Sequence, residues 1–533
     1  MRIALIGDGA GKVLSAEDVG GKAANLSRMA ALGLPVPPAF VLPISLCAET
    51  LQGDPAAAGD LADGLAQGIA FLQQATGKVF GDRRRPLLVS VRSGAARSMP
   101  GMLDTVLDVG CTPAAVRGLI RMIGQPRFAF DCRRRFLESY GSVVLGADAA
   151  DFAAARAKLV AAEGANNARA IDGEALERLA GSYERVIERA DHVLSDEPME
   201  QLQAAAQAVF RSWLSGRART YRELQHLEDL QGTAVTVQTM VFGNNGAASG
   251  AGVAFSRDPS TGAAAPVIEV LFESQGEDVV SGGHNPQTEA AIAQAFPQVA
   301  EQLRAALRRL EDEFADVQDV EFTIENGKLW LLQTRAAKRT PQAALRLAID
   351  FVKEAHITPA EGLQRLDGLD LRRLTNTRLL APGTPSSHGT GASTGVAVGR
   401  AAFDPQSAAH LAASNGGVIL VRPDITTADV AGFAAASGIL TAVGGRTAHA
   451  ALVARQLGKP CVVGCSALSV DVVGRCARLG NAGIKEGDWL SIDGEAGAVY
   501  LGRGKVVAER PEAELAEVEA WRQSLRSATS STS

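Results

Sequence analysis

The segment from Gly438 to Arg455 reads as an apolar strand, a double glycine (Gly444-Gly445), and then a helical pattern that contains His449. The neutral imidazole is a competent nucleophile near physiological pH. The pattern predicts Thr447 as the helix N-cap, which puts His449 in the first helical turn. A phosphoryl group on that ring would then face free backbone N–H groups and the positive end of the helix dipole. The residue types alone leave two readings open, a phosphoryl carrier and an ordinary helix-end histidine among the seven histidines of the chain.

A second constellation is acidic. Asp319 and Glu321 lie two apart, so a strand would point both to one face. Gln333 and Arg335 have the same spacing on the partner arm of a hairpin predicted around Glu325-Asn326-Gly327-Lys328. Two carboxylates with an amide oxygen suit Mg²⁺, which prefers oxygen ligands and bridges nucleotide phosphates. Arg335 beside them suits phosphate oxygens. Paired charges on a solvated hairpin face are the plainer alternative.

Lys22 follows Gly20-Gly21, and Arg92 precedes Ser93-Gly94. Cations beside glycine-flanked backbone can cradle phosphate, although the spacing of a P-loop is missing. A surface lysine at the start of a helix is the simpler reading of Lys22. Cys461 and Cys465 lack a second Cys/His pair nearby and read as small buried hydrophobes rather than zinc ligands.

These side chains need elements to hold them. Residues 1–110 alternate apolar runs with glycine turns, and Pro86–Ser93 reads as a buried strand that delivers Arg92 to its end. Residues 111–231 are rich in Ala, Leu, Arg and Glu and predict helices. Residues 232–336 return to strand character. A charged helical linker or hinge follows over 337–387, then a compact Gly/Ala/Val-rich domain over 388–504 and a charged helical tail over 505–533.

The chain has 533 residues, 46% of them hydrophobic and 21% charged, with 56 glycines and 5% aromatics. That balance predicts a globular multidomain α/β and α+β protein with an aliphatic core. A net charge of −6 offers no global electrostatic case for nucleic acid or an anionic membrane. No apolar run approaches the roughly 18 residues of a membrane span, and six cysteines do not make a disulfide scaffold. The expectation is a cytoplasmic protein.

Taken together and in this order, the segments resemble the pyruvate phosphate dikinase family of phosphoenolpyruvate-utilising enzymes. The matching stretches are Gly20–Leu26, Val89–Leu107, Thr233–Gly262, Gln275–Val280, Asp319–Thr340, Gly438–Cys465 and Glu486–Gly502, within residues 15–504. The resemblance implies an ATP-grasp nucleotide-binding domain (1–336) followed by a swivelling phosphohistidine domain. It implies that ATP and inorganic phosphate yield AMP, pyrophosphate and phosphohistidine, with Mg²⁺ as cofactor. His449 becomes the carrier, and Lys22, Arg92 and Arg335 hold ATP phosphates. Asp319, Glu321 and Gln333 form the metal group, Gln238, Met240 and Val241 the adenine-pocket strand, and Gly101 part of a loop over the phosphates. Thr447 matches a position at which plant members are regulated by phosphorylation. The Ser98–Leu107 form of the loop favours phosphate over water as co-substrate.

The departures matter as well. Arg446 and Ala448 replace the family's methionine and serine, so Arg446 is expected to supply charge to the phosphohistidine or to an acceptor. His284 stands where an arginine is usual, and Thr394 where a proline is usual. Family members continue into a barrel that binds pyruvate and phosphoenolpyruvate, for which residues 505–533 are too few. The expectation is therefore a half-reaction, with the acceptor chemistry supplied in trans by a separate barrel protein. The alternatives are transfer to another small molecule and a non-catalytic nucleotide-binding remnant.

Overall fold

The computed structural model describes residues 3–97, 99, 102–165, 168–280, 283–381, 383–414, 416–425 and 429–530. The chain divides into two compact units, residues 1–246 with 330–334, and residues 247–329 with 335–533. Among the described residues no helix is long and apolar enough to cross a membrane.

The first unit is built on a five-stranded sheet. Its order is Ala4–Ile6, Ala39–Leu42, Ala234–Thr239, Val89–Gly94 and Thr105–Val109, and every pairing is antiparallel. The strand Ala234–Thr239 is buried along its whole length, between partners far away in sequence. This corrects the expected boundary at residue 232, because that strand completes the first sheet rather than opening a second subdomain. Helices predicted over 111–231 are present, from Pro113–Ile123 to Gly216–Leu224. They bury Phe136, Tyr183 and Phe210 with Phe40 and Leu65 in one core.

The helix Ala16–Ala31 is broken at Gly20, whose φ is +77°. A Cβ there would stand 2.0 Å from the Gly94 carbonyl oxygen, and Gly21 N–H donates to the Ala95 carbonyl at 2.9 Å. Only glycine allows this approach. The double glycine thus pins Lys22 to the end of the strand that bears Arg92.

Two large sheets carry the second unit. The first has the order Gln287–Thr288, Val267–Phe272, Gly250–Phe255, Gln318–Glu325 and Lys328–Ala336. The predicted hairpin is present, with Asn326 and Gly327 both at positive φ in its two-residue turn. The eight-stranded second sheet has a parallel centre formed by Val396–Ala402, Val418–Arg422, Gly438–Thr441 and Cys461–Val463. Side chains alternate between two cores: Ile439 joins Phe433 and Ala450 on one face, and Leu440 joins Phe403 and Ile492 on the other.

The linker and tail are more than spacers. Helix Pro341–Lys353 sends Ala343, Leu347 and Phe351 into the core beneath the five-stranded sheet. Its other side, through Leu345, Ala348 and Ile349, meets Val518 and Trp521 of the tail helix Glu512–Ser530. The tail strand Val506–Glu509 also pairs with Asn376–Leu379. The linker and the tail thus meet as a packed helical pair, because both helices carry apolar faces that need a partner.

Candidate functional site

The loop after Gly438–Thr441 leads to a helix at His449–Gln456, so His449 is the first helical residue. Thr447 is not the N-cap. That place belongs to Ala448, at φ −61° and ψ 156°, with no side-chain cap. The Thr447 hydroxyl instead donates to Glu269 Oε2 at 2.8 Å, and the Thr447 N–H donates to the same oxygen at 3.0 Å. Arg446 N–H donates to Glu269 Oε1 at 2.6 Å, and Gly444 N–H to Asn285 Oδ1 at 3.0 Å. An ionised acceptor outcompetes a local cap because charge-assisted hydrogen bonds are stronger.

Gly445 is required by this contact. A Cβ there would lie 2.4 Å from Pro286 Cγ and 2.5 Å from Glu269 Oε2. The Arg446 guanidinium pairs with Asp258 Oδ2 at 3.1 Å. Glu269, Asp258 and Asn285 were not predicted as site residues. The signal for Glu269 was present, a single carboxylate inside the apolar strand Val267–Phe272.

The ring of His449 keeps Nε2 enclosed and without a hydrogen-bond partner. Asp424 feels both His449 and His284. Burial raises the Asp424 carboxyl above its usual range and the nearby Asp429 adds to this, while His284 and His449 oppose it. The loop that bears His284 meets the loop before His449 through Asn285 on Gly444.

Asp319 and Glu321 lie on Gln318–Glu325, opposite Phe255 and Val253, with the same-face spacing that their sequence separation requires. Arg335 Nε donates to Asp319 Oδ2 at 2.8 Å. Asp319 is 3% exposed and its Oδ1 has no partner. Burial raises its carboxyl above the usual range, against the pull of Arg335. A buried, unpartnered carboxylate oxygen fits a divalent cation, and Glu321 would add a second oxygen donor. Among the described residues no cluster of three or more His, Cys, Asp or Glu side chains could hold a metal. Gln333 is buried and groups with the first unit.

Arg455, on the helix His449–Gln456, is 1% exposed. Its Nη1 donates to the Arg446 carbonyl at 2.7 Å and the Ala392 carbonyl at 3.1 Å. Its guanidinium lies 5.4 Å from the Phe255 ring centre. Cys461 and Cys465 are buried as expected, and burial pushes the Cys461 thiol up to about 12.

In the first unit, half-buried Arg92 lies opposite Thr236 and Thr105, and half-buried Lys22 follows the Gly20 break. Gln238 is buried, and its Nε2 donates to the Pro37 carbonyl at 3.2 Å. Met240 N–H donates to the Leu88 carbonyl at 3.0 Å. These donors are already engaged, so any nucleotide contact must use other atoms of that strand. Val241 is buried beside them, and Gly101 lies outside the described residues.

A family model described as "Pyruvate phosphate dikinase, AMP/ATP-binding domain" matches residues 55–297 and 288–356. The chain belongs to the pyruvate phosphate dikinase family. In this family member a second model, "PEP-utilising enzyme, mobile domain", matches residues 414–497, which include His449. The chain is 40% identical over 492 residues to the pyruvate, phosphate dikinase of Clostridium symbiosum, covering 91% of this chain and 56% of that protein. It is 40% identical over 490 residues to the chloroplastic pyruvate, phosphate dikinase of Flaveria pringlei, covering 91% of this chain and 51% of that one. Against the chloroplastic pyruvate, phosphate dikinase 1 of Zea mays it is 38% identical over 510 residues, covering 95% of this chain and 54% of the relative. The chain thus spans about half the length of these pyruvate phosphate dikinases.

Proposed function

We propose that this protein carries out the nucleotide half-reaction of a pyruvate phosphate dikinase, the ATP- and phosphate-dependent phosphorylation of His449. An imidazole nitrogen bonds to the β-phosphorus of ATP as AMP departs, and the γ-phosphoryl group goes to inorganic phosphate as pyrophosphate. The phosphohistidine remains on the carrier helix. Transfer onward to pyruvate is assigned to chemistry outside these 533 residues, on a barrel that binds phosphoenolpyruvate and pyruvate.

Lys22, Arg92 and Arg335 are assigned to the ATP phosphates, where cations absorb the charge that spreads over the transferring group. Mg²⁺ supplies further charge neutralisation when bound, and Asp319, Glu321 and Gln333 would hold it. Gln238, Met240 and Val241 are assigned to the adenine side of an ATP-grasp domain. The carrier domain swivels between donor and acceptor, which requires its loop to be held on the donor side and released.

The observation that supports this reading best is the setting of His449. It begins a helix, keeps an uncommitted ring nitrogen, and rides a loop held by Glu269 from the sheet that also bears Asp319, Glu321 and Arg335. The test is incubation with ATP labelled at the β-phosphate and Mg²⁺, with and without inorganic phosphate. Acid-labile, phosphate-dependent label on the wild type, absent from His449→Ala, is the expected result. Label persisting in His449→Ala overturns the carrier assignment. Nucleotide binding without label supports a nucleotide-binding remnant instead.

A further inference from the structure

The turn from Asp258 to Ala263 engages every polar atom of Asp258. Its N–H donates to the Ala263 carbonyl at 3.0 Å, and its carbonyl accepts from the Gly262 N–H at 2.8 Å. Oδ1 accepts from the Ser260 and Thr261 amides at 2.8 and 3.2 Å, and Oδ2 accepts from Arg446 Nη1 at 3.1 Å. The turn is itself anchored. The Thr340 hydroxyl donates to the Ser260 carbonyl at 2.6 Å, and the Ser260 hydroxyl donates to the Ala392 carbonyl at 2.9 Å. The Asp258 carboxylate is thus fixed by its own turn, so little freedom is lost when a cation meets it.

Arg446 is held at three points. Its N–H donates to Glu269 Oε1 at 2.6 Å, its carbonyl accepts from Arg455 Nη1 at 2.7 Å, and its guanidinium meets Asp258. Glu269 lies on Val267–Phe272, which pairs with Gly250–Phe255, the strand that runs into the Asp258 turn. Any residue type at 446 could make the two backbone bonds. Only the third bond needs a cation. Freely exposed ion pairs contribute little, but here the arginine side chain is 30% and the aspartate 13% exposed. The pair is sheltered enough to count and open enough for dissolved ions to screen it.

We propose that Arg446 is a positioning residue, a salt-sensitive latch that holds the loop before His449 on the Asp258 turn. The two Glu269 bonds to the Arg446 and Thr447 amides set where the loop sits, and the latch sets how often it opens. An uncharged side chain at 446 keeps the place and loses the hold. The inference deepens the proposed function, on which it rests for the role of His449: a carrier that must leave its donor needs a contact that lets go. Its test reads loop opening directly and does not need phosphoryl transfer.

The experiment is amide hydrogen exchange in the full chain, read at the Arg446 and Thr447 N–H groups that Glu269 protects. Asp258→Asn keeps an oxygen for the Ser260 and Thr261 amides and removes only the charge. It and Arg446→Met are each expected to speed exchange about threefold at low salt. Sodium chloride at about 1 M is expected to speed the wild type by a similar factor and to leave both variants unmoved, so the three converge. A purely structural role for either side chain would not produce that convergence. Arg446→Lys, which keeps the cation, is expected to retain most of the protection and the salt response. The double variant Asp258→Asn/Arg446→Met is expected to match the single variants, since each removes the same interaction. A wild type indifferent to salt, or effects that multiply in the double variant, would overturn the proposal. Should Arg446→Met fail to fold, the salt response of wild type against Asp258→Asn still decides it. A salt-responsive wild type that forms no phosphoenzyme would count against the proposed function and leave the latch standing, and a phosphoenzyme-forming wild type without the response would do the reverse.

Discussion

Glu269 and Thr447 are joined by two hydrogen bonds to a single carboxylate oxygen, from the Thr447 amide at 3.0 Å and its hydroxyl at 2.8 Å. The residue two before His449 is thereby anchored to the middle of a strand from a different sheet. The contact requires a bare backbone at Gly445 and one carboxylate in an otherwise apolar strand.

Thr447→Val removes the hydroxyl but keeps the shape and the amide bond. A hydrogen bond to a charged acceptor contributes about 1.5–3 kcal/mol, so the rate of phosphoenzyme formation is expected to fall about tenfold. Thr447→Asp sets a second anion against Glu269, and the loss there is expected to exceed a hundredfold. Single-turnover labelling at saturating ATP measures both, and equal rates in the two variants would count against the Glu269 contact.

Arg335→Ala leaves Asp319 buried without its guanidinium. Burial already raises the Asp319 carboxyl, and loss of Arg335 raises it further. A raised carboxylate favours the protonated fold, so the penalty is absent below the ordinary value of about 3.9 and grows as pH rises through the folded-state value. Chemical denaturation is expected to show a loss of about 1–3 kcal/mol at pH 7, reduced because Arg335 is partly exposed, and shrinking toward pH 4. Phosphoenzyme formation is expected to fall by far more than this stability change implies. An unchanged labelling rate would remove Arg335 from the phosphate site.

Asp131 shows the opposite sign. Burial alone would raise its carboxyl, but Arg134 and Arg135 hold it well below the usual range, and Asn244 Nδ2 donates to it at 2.7 Å. Its contribution to stability is present above about pH 3.9 and is lost as pH falls toward the depressed folded-state value. Asp131→Asn removes the charge that two buried guanidinium groups share, at a cost of about 3–5 kcal/mol at neutral pH. Urea midpoints for wild type and variant are expected to converge as pH is lowered, and a gap that widens in acid would contradict this.

Gly20→Ala drives a methyl group into the Gly94 carbonyl at a residue with positive φ. The helix must shift off the end of Val89–Gly94, at a cost of about 2 kcal/mol or more. Lys22 moves with it, so calorimetry is expected to find ATP binding at least tenfold weaker. The same replacement at Gly59, where a Cβ meets open space, is the control expected to leave both quantities unchanged.

Much of this protein is legible one residue at a time. Alternation put Asp319 and Glu321 on one face, and Asn326-Gly327 wrote its own hairpin turn. Local rules fail where a distant group outbids a near one. Thr447 has the chemistry of an N-cap, yet its hydroxyl goes to a carboxylate 178 residues earlier in the chain, because an ionised acceptor binds more strongly than a helix end.

Residue type and short-range spacing are enough to pick out the side chains that could do phosphoryl chemistry and most of the strands and turns that bear them. Burial of apolar faces set the partners: Ala234–Thr239 completing the first sheet, the tail's Trp521 packed with Ile349, and Glu269 on Thr447. Such pairings depend on which surfaces meet when apolar faces are buried. Periodicity along the chain has no access to that.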